Sequence, residues 1–293
     1  MSRSKKILGV GLLIIAVLLI SGEYLSRVSI PVLEPKGPIA DKEFRLMIVV
    51  TLIMLIVVVP VFVLLAYILV RYNENNKKPT KYSPDWDHSR IIEGIWWLVP
   101  SLIIGVLAVI TWKSTYALNP YNPIPSPNKT ITIDVVSLDW KWLFIYPKQS
   151  IASVDKLVFP VKTPVHFYLT SDAPMNSFWL PQLSGQIYTM AGMQTQLYIM
   201  ADVRGDFIGR SANISGIGFS GMVFHALATS KQDFSSWVTK TKLTSPSLTI
   251  SAYDNLSKPS LSYRYSLYSN PAPNLFNDII NKYMNPADKG VVI

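Results

Sequence analysis

Residues Leu46 to Val70 read LMIVVTLIMLIVVVPVFVLLAYILV, about 25 positions without a charge, and Thr130 to Val135 read TITIDV, alternating polar and apolar. The first stretch is long enough to cross a hydrocarbon core with some tilt. It must do so as a helix, because lipid offers backbone groups no other partner. The second has the period of two expected of a strand with one face buried. A chain that carries both is a membrane anchor followed by an all-β domain, and the remaining segments are read outward from these two.

A second uncharged stretch, Gly94 to Trp112, is about 19 residues long and can also span, with Trp96, Trp97 and Trp112 where interfacial aromatics are expected. Pro60 falls inside the first span and predicts a kink there. Between the spans lie Arg71, Lys77, Lys78, Lys81 and Arg90, so the positive-inside rule assigns this loop to the cytoplasm and both flanks to the outside. The charge bias is modest, since Arg27, Lys36, Lys42 and Arg45 precede the first span.

At the extreme N-terminus Arg3, Lys5 and Lys6 precede the apolar run Ile7 to Ile20, the pattern of a signal peptide. Leu19-Ile20-Ser21-Gly22 is similar to the approach to a lipoprotein cleavage site, but Glu23 stands where the acylated cysteine would be. The segment is either cut elsewhere or kept as a short third helix.

The expected division is a signal-like segment (1–22), an extracytoplasmic linker (23–45), a span (46–70), a cytoplasmic loop (71–93) and a second span (94–112). A proline-rich hinge (113–128), a β-domain (129–250) and a C-terminal tail with a short helix (251–293) follow. In the β-domain, Lys156 to Leu169, Gln196 to Met200 and Met222 to Ala228 read as strands between turn residues, which suggests a sandwich or barrel. Ser230 and Asp233 read as the start of a helix with Phe234, Trp237 and Val238 on its apolar face, and Asn274 to Met284 as a terminal helix.

Composition excludes several classes of function. There is no cysteine, so disulfides, thiol catalysis, zinc fingers and thiolate-bound metals are all ruled out, and copper could meet sulfur only at methionine. The net charge of +9 comes from scattered basic residues rather than a run interleaved with aromatics, so it flanks membrane segments and does not point to nucleic acid. His88, His166 and His225 form no metal-ligand spacing. His225 and Met222, three apart, would face opposite sides of a strand. Ser211 and Ser215 lack the surroundings of a nucleophile elbow.

Three motifs then occur in order. Ile92-Glu93-Gly94-Ile95-Trp96, with Pro100 beyond, resembles the start of the second helix in subunit II of the haem-copper oxidases. Asp139-Trp140-Lys141-Trp142 looks like that family's aromatic strand, and Ser177-Phe178-Trp179-Leu180-Pro181 looks like the strand bearing its first copper ligand. The likeness runs from about Val32 to Met284 and implies a two-helix transmembrane hairpin followed by a cupredoxin-like β-barrel or sandwich.

In the cytochrome c oxidase branch the barrel holds a dicopper centre, CuA. Aligned on that pattern, this chain has Asn176 for the first histidine, Ser211 and Ser215 for the bridging cysteines, Asn213 for the glutamate and Phe219 for the second histidine, and only Met222 is retained. Hydroxyl, amide and phenyl groups are poor substitutes for thiolates and imidazoles. The separation of Asn176 from Ser211, about 35 residues, still matches the family, which implies a retained scaffold with a lost metal site.

That loss, together with Trp179-Leu180-Pro181-Gln182, Phe219-Ser220-Gly221-Met222 and Asn274-Leu275-Phe276-Asn277, is similar to the quinol-oxidase branch. The resemblance implies a non-catalytic subunit of a quinol:oxygen oxidoreductase in a bacterial-type inner membrane, with no active site and no cofactor of its own. Subunit I and the other integral membrane subunits would be its partners, with the haems and one copper in subunit I and quinol as substrate. It also implies that Glu93 admits protons towards subunit I; the plain alternative is that Glu93 complements its helix dipole.

Trp140, Trp142 and Trp179 have no copper to serve on this reading and become packing or subunit-contact aromatics. Charge agrees independently: from Ser114 onward there is no glutamate, so the surface would repel a basic cytochrome c and no such docking is expected. A cytochrome c oxidase subunit II with an altered metal site, and a stand-alone anchored cupredoxin-like binding module, are the alternatives.

Overall fold

The computed structural model describes residues 29–72, 87–261 and 264–284, with isolated positions among 16–23. Most of the signal-like run, and Lys77, Lys78 and Lys81, fall outside the described residues. The chain divides into two compact units, one formed by residues 41–123 and the other by the rest.

The first unit is built on two helices, α1 (Pro38–Arg71) and α2 (Arg90–Ala117), about 51 and 42 Å long at 1.5 Å per residue. Both exceed the uncharged runs. Helix α1 starts about two turns before Leu46, in what was expected to be linker, and an Asp41–Arg45 pair at 2.8 Å spans one turn of this polar extension. Helix α2 likewise takes in Arg90 and Glu93, expected as loop. Charged residues end a membrane span but not a helix, so hydropathy marks the lipid limits and not the helix ends. Apart from Ala40, no described residue of either helix is buried. Phe62, Leu69, Trp97 and Leu102 are each more than 60% exposed, an apolar surface that requires lipid or other apolar chains around it.

The second unit is a two-sheet sandwich. Its strands in chain order are β1 (Ile131–Leu138), β2 (Lys141–Tyr146), β3 (Ile151–Val154), β4 (Lys156–Pro160), β5 (Val165–Ser171), β6 (Asn176–Trp179), β7 (Gln186–Thr189), β8 (Thr195–Ile199), β9 (Gly205–Ser211), β10 (Val223–Thr229) and β11 (Ser266–Ser269). One sheet runs β11-β3-β2-β1-β5-β8 and the other β4-β10-β9-β6-β7. The pairs β1–β5 and β4–β10 are parallel and the remaining neighbours antiparallel.

The run Lys156 to Leu169 is two strands, not one: Lys162 takes a left-handed conformation (φ 56°) before Pro164, and the chain crosses from one sheet to the other. Between the sheets lies the main core, where Trp142, Phe144, Phe178 and Phe224 meet through their rings. The Tyr146 hydroxyl ties β2 to β4, accepting from the Val158 amide at 2.8 Å and donating to its carbonyl at 3.0 Å.

The alternation read at Thr130 to Val135 gives way to Val135-Val136, both buried, because β1 is covered on both faces. Its outer face carries a second core of Val136, Leu138, Leu143 and Ile145. The covering layer is formed by helices α4 (Ile250–Ser257) and α5 (Leu275–Met284), with β11 between the two, whereas helix α3 (Lys231–Thr244) packs Phe234, Trp237 and Val238 on the main core. Ser230 caps α3 by accepting from the Asp233 amide at 3.0 Å, and Thr249 caps α4 through Ala252 at 3.2 Å. Leu248, Tyr253, Leu256, Leu275, Phe276 and Ile279 are buried against the sheet. Residues 251–284 are thus an integral layer of the domain and more than a tail with one short helix.

The segment before α1 is also docked. The Lys36 amide donates to Gln182 O at 2.7 Å, the Asp202 amide to Lys36 O at 2.9 Å, and the Ala40 amide to Leu183 O at 3.3 Å. A Cβ on Gly37 would overlap the Met200 carbonyl, so only glycine lets the chain lie this close.

Candidate functional site

The positions at which the resemblance puts the copper ligands gather at one end of the sandwich, around the start of β6, the end of β9 and the 212–222 loop. Asn176 and Ser211 are buried, and the Ser211 hydroxyl donates to Asn176 Oδ1 at 2.9 Å. Asn176 Nδ2 donates to Pro174 O at 2.9 Å, and Asn213 Nδ2 to Met175 O at 2.9 Å. The backbone continues the closure, with the Ala212 amide on Ser177 O at 2.9 Å and the Ser211 amide on Met222 O at 3.2 Å. Met222 is wholly buried in the main core and Phe219 is half-buried in a short turn.

Trp140 sits at a left-handed position (φ 63°) in the β1–β2 turn, and its ring lies beneath the loop with Nε1 donating to Ser215 O at 3.2 Å. A Cβ on Gly218 would overlap that ring, so the loop rests on the indole only because residue 218 is glycine. Among the described residues, Ser215 Oγ and Trp142 Nε1 are buried without a hydrogen-bond partner. Trp142 is fully buried, edge-on to Phe178 at 5.2 Å between centroids, and Trp179 is half-buried at the end of β6.

This set does not fit copper. It offers no thiolate and no imidazole, and its hydroxyl and amide groups bond to one another and to backbone. The histidines are elsewhere: His225 is exposed beside Asp206 at 2.9 Å, His166 stacks on Tyr198 at 4.0 Å, and His88 pairs with Asp87 at 2.7 Å. Among the described residues no group of three or more His, Cys, Asp or Glu is arranged to hold a metal. Glu93 lies in the first turn of α2, exposed, beside a shallow cavity it shares with His88 and Trp96; its backbone amide donates to Ser89 O at 2.9 Å.

Comparison with known proteins places this architecture. The family model described as cytochrome c oxidase subunit II, transmembrane domain, matches residues 34–113, and that of the periplasmic domain matches residues 111–228. The COX aromatic rich motif matches residues 242–287. The cytochrome bo(3) ubiquinol oxidase subunit 2 of Pseudomonas aeruginosa is 50% identical over 255 residues, covering 87% of this chain and 77% of that one. The ubiquinol oxidase subunit 2 of Acetobacter aceti is 45% identical over 263 residues (89% and 85%), and the quinol oxidase subunit 2 of Bacillus cereus 39% over 238 (81% and 82%). This chain belongs to the quinol oxidase subunit 2 family.

Without cysteine, no CuA centre can form in this chain. Sequence reasoning missed a second polar cluster altogether. Asp172, at the end of β5, has a side chain only 1% exposed and accepts from the hydroxyls of Tyr253 (2.5 Å) and Tyr283 (2.6 Å) and from Lys282 Nζ (2.8 Å). Burial, with Asp172 adding to it, pushes both tyrosine hydroxyls far above their ordinary range, so they remain donors. The partners lie 81 to 111 residues away, and no local pattern announces them.

Lys141, in the aromatic motif, was missed for the same reason: it is buried and its Nζ donates to Lys258 O at 2.7 Å and Ser260 Oγ at 2.8 Å. Burial lowers its pKa, while Asp155 and Asp139 draw it back up.

Proposed function

We propose that this chain is the non-catalytic subunit II of a proton-pumping quinol:oxygen oxidoreductase in a bacterial-type inner membrane. The observation that carries the reading is the Asn176–Ser211 pair. Where relatives of the copper-bearing branch would need ligands, this chain closes the scaffold with a buried, neutral hydrogen bond at 2.9 Å. A subunit with no metal relay suits an oxidase whose electrons arrive from a lipid-soluble quinol. The haems and one copper then belong to subunit I, which oxidises quinol and reduces oxygen. The present chain holds its two helices among the other membrane subunits and lipid, with the sandwich outside and the 71–93 stretch between the spans on the cytoplasmic side, as its basic residues favour.

Glu93, at the cytoplasmic start of α2 in this topology, admits protons towards subunit I. An exposed carboxylate beside a cavity at the mouth of a membrane helix supports that role.

The test is purification in mild detergent through a tag on this chain, followed by copper quantitation, haem spectroscopy and oxygen uptake. Haem with a single copper per complex and uptake driven by quinol are expected. Further copper with near-infrared absorbance and uptake driven by reduced cytochrome c would overturn the reading, and absence of haem would leave an anchored binding module. In the purified complex Glu93→Gln is expected to slow quinol-driven turnover severalfold; unchanged turnover would reduce Glu93 to a helix-dipole partner.

A further inference from the structure

On the outer face of β1, Asp134 stands opposite Ile145 of β2 and Tyr168 of β5. It lines a cavity of about 510 Å³ whose walls come from Pro147, Tyr168, Gln194 and the 271–277 segment before α5. Among the described residues its carboxylate has no hydrogen bond and no ion pair, in contrast with Asp172 and its three donors. Burial alone pushes its pKa up to about 6, with no charged neighbour contributing, so it is still mostly ionised at pH 7. No lysine or arginine lines the cavity. Asp134 is half-buried beside a cavity open to solvent, and a carboxylate partly withdrawn from water without a partner is a group that a cation would stabilise.

The walls say what would pair it. Pro147, Pro271 and Pro273 are apolar and rigid, Tyr168 offers a ring face, and Gln194 and Asn274 offer amide oxygens to surplus N–H groups. A metal ion would find a single carboxylate, and an anion would find no cation. The volume falls within the range of small-ligand pockets, roughly 300–1,000 Å³.

We propose that this cavity is a binding site for a primary ammonium or guanidinium on a short apolar stem, with the cation paired to Asp134 and the stem lying against the prolines and Tyr168. That chemistry is supplied either by a lysine or arginine side chain of a neighbouring subunit or by a free amine. The site is independent of the Asn176–Ser211 end and of Glu93.

The test uses the full-length chain in mild detergent, titrated with butylguanidinium, n-butylammonium and, as the neutral counterpart, n-pentanol. Both cations are expected to bind with Kd on the order of 1 mM, and Asp134→Asn to weaken them at least about tenfold. Only the ionised carboxylate pairs with the cation, so affinity should fall about tenfold from pH 7 to pH 5 in the unaltered protein. This arm stands even if the variant fails to fold.

Among the groups around the cavity, Gln194, Ser150 and the asparagines are not ionisable, but His166, 4.3 Å from Tyr168 between ring centroids, gains a positive charge in acid even with its pKa lowered by burial. The pH titration is therefore repeated in His166→Gln, where the tenfold fall must persist if Asp134 is its source. Lys148 and Asp278 flank the lining segments without lining the cavity. Pentanol binding as tightly as the cations, cation binding that Asp134→Asn leaves unchanged, or no binding at all would overturn the proposal. In the assembled complex, loss of cation binding would identify a neighbouring subunit's side chain as the occupant, and retained binding a free amine.

Discussion

Asp172 and Asn176 stand four residues apart on either side of the turn between β5 and β6, and both are buried, yet they close the fold in opposite ways. Asp172 carries a charge into the interior and draws in three donors from two C-terminal helices, fastening the outer layer to the sheet. Asn176 carries a dipole, meets one serine hydroxyl, and joins β6 to the end of β9 within the same sheet. Leaving a fully buried charge half-satisfied is costly, whereas a neutral amide can exchange partners at little cost. The difference teaches where the domain is rigidly specified and where it is free to vary: the charged end holds a layer in place, and the neutral end fills a position that needs no particular chemistry.

The largest expected effect follows from the charged end. Asp172→Ala would leave two buried tyrosine hydroxyls and Lys282 Nζ without their acceptor, costing about 3–5 kcal/mol. Thermal melting of the detergent-solubilised chain should fall sharply, and hydrogen exchange should rise across α4 and α5 while the core strands β2 and β6 keep their protection. Loss of protection in β2 and β6 as well would mean that the outer layer and the sandwich unfold as one, and would erase the distinction drawn here.

Steric closure at the other end ranks second. Gly218→Ala forces either the 216–218 loop or the Trp140 indole to move, an overpacking cost of about 1–3 kcal/mol. A red shift in tryptophan emission would accompany exposure of Trp140; an unshifted spectrum with unchanged melting would show that the loop yields freely and that the indole does not define it.

Ser211→Ala is the third and milder test. It removes the hydroxyl that donates to Asn176 Oδ1, for a loss of about 1 kcal/mol, and should leave oxygen uptake by the complex unaltered. A loss comparable to that of Asp172→Ala would make the neutral end as demanding as the charged one.

How much of this was legible in the sequence depends on the range of the interaction. The two membrane helices, the Ser230 cap and the terminal helix from Leu275 were readable because each is announced by residues within a few positions of one another. The positions that the resemblance assigns to lost copper ligands were named from short motifs, and Asn176, Ser211 and Asn213 lie at one end of the sandwich, where Ser211 bonds to Asn176 and Asn213 to Met175 O. The docking of Lys36 on Gln182, the clamp on Asp172 and the burial of Lys141 were not readable. Each joins residues more than 80 apart through groups that, taken alone, look like ordinary surface polar residues. Residues 251–284 look like a tail because their apolar positions are few and interrupted; they become a layer only because β1 and β2 present a second apolar face for them to cover.

Asp155 is intermediate between the charged and the neutral end and gives the most specific test, because its effect depends on pH. Asp155 takes a left-handed position (φ 54°) between β3 and β4, and its carboxylate accepts from the Trp142 amide at 2.7 Å. Burial raises its pKa to about 7, against the lesser pull of that hydrogen bond and of Lys141. A carboxyl whose folded pKa lies above its unfolded value of 3.8 contributes stability that is complete below pH 4 and is lost as the pH climbs through about 7. Asp155→Asn keeps the acceptor oxygen but cannot ionise, so its melting temperature should match the unaltered protein near pH 4 and exceed it by several degrees at pH 8. If the two melting curves instead stay parallel from pH 4 to pH 8, the backbone donor and Lys141 already satisfy the ionised form, and Asp155 belongs with Asp172 among the fully paired carboxylates.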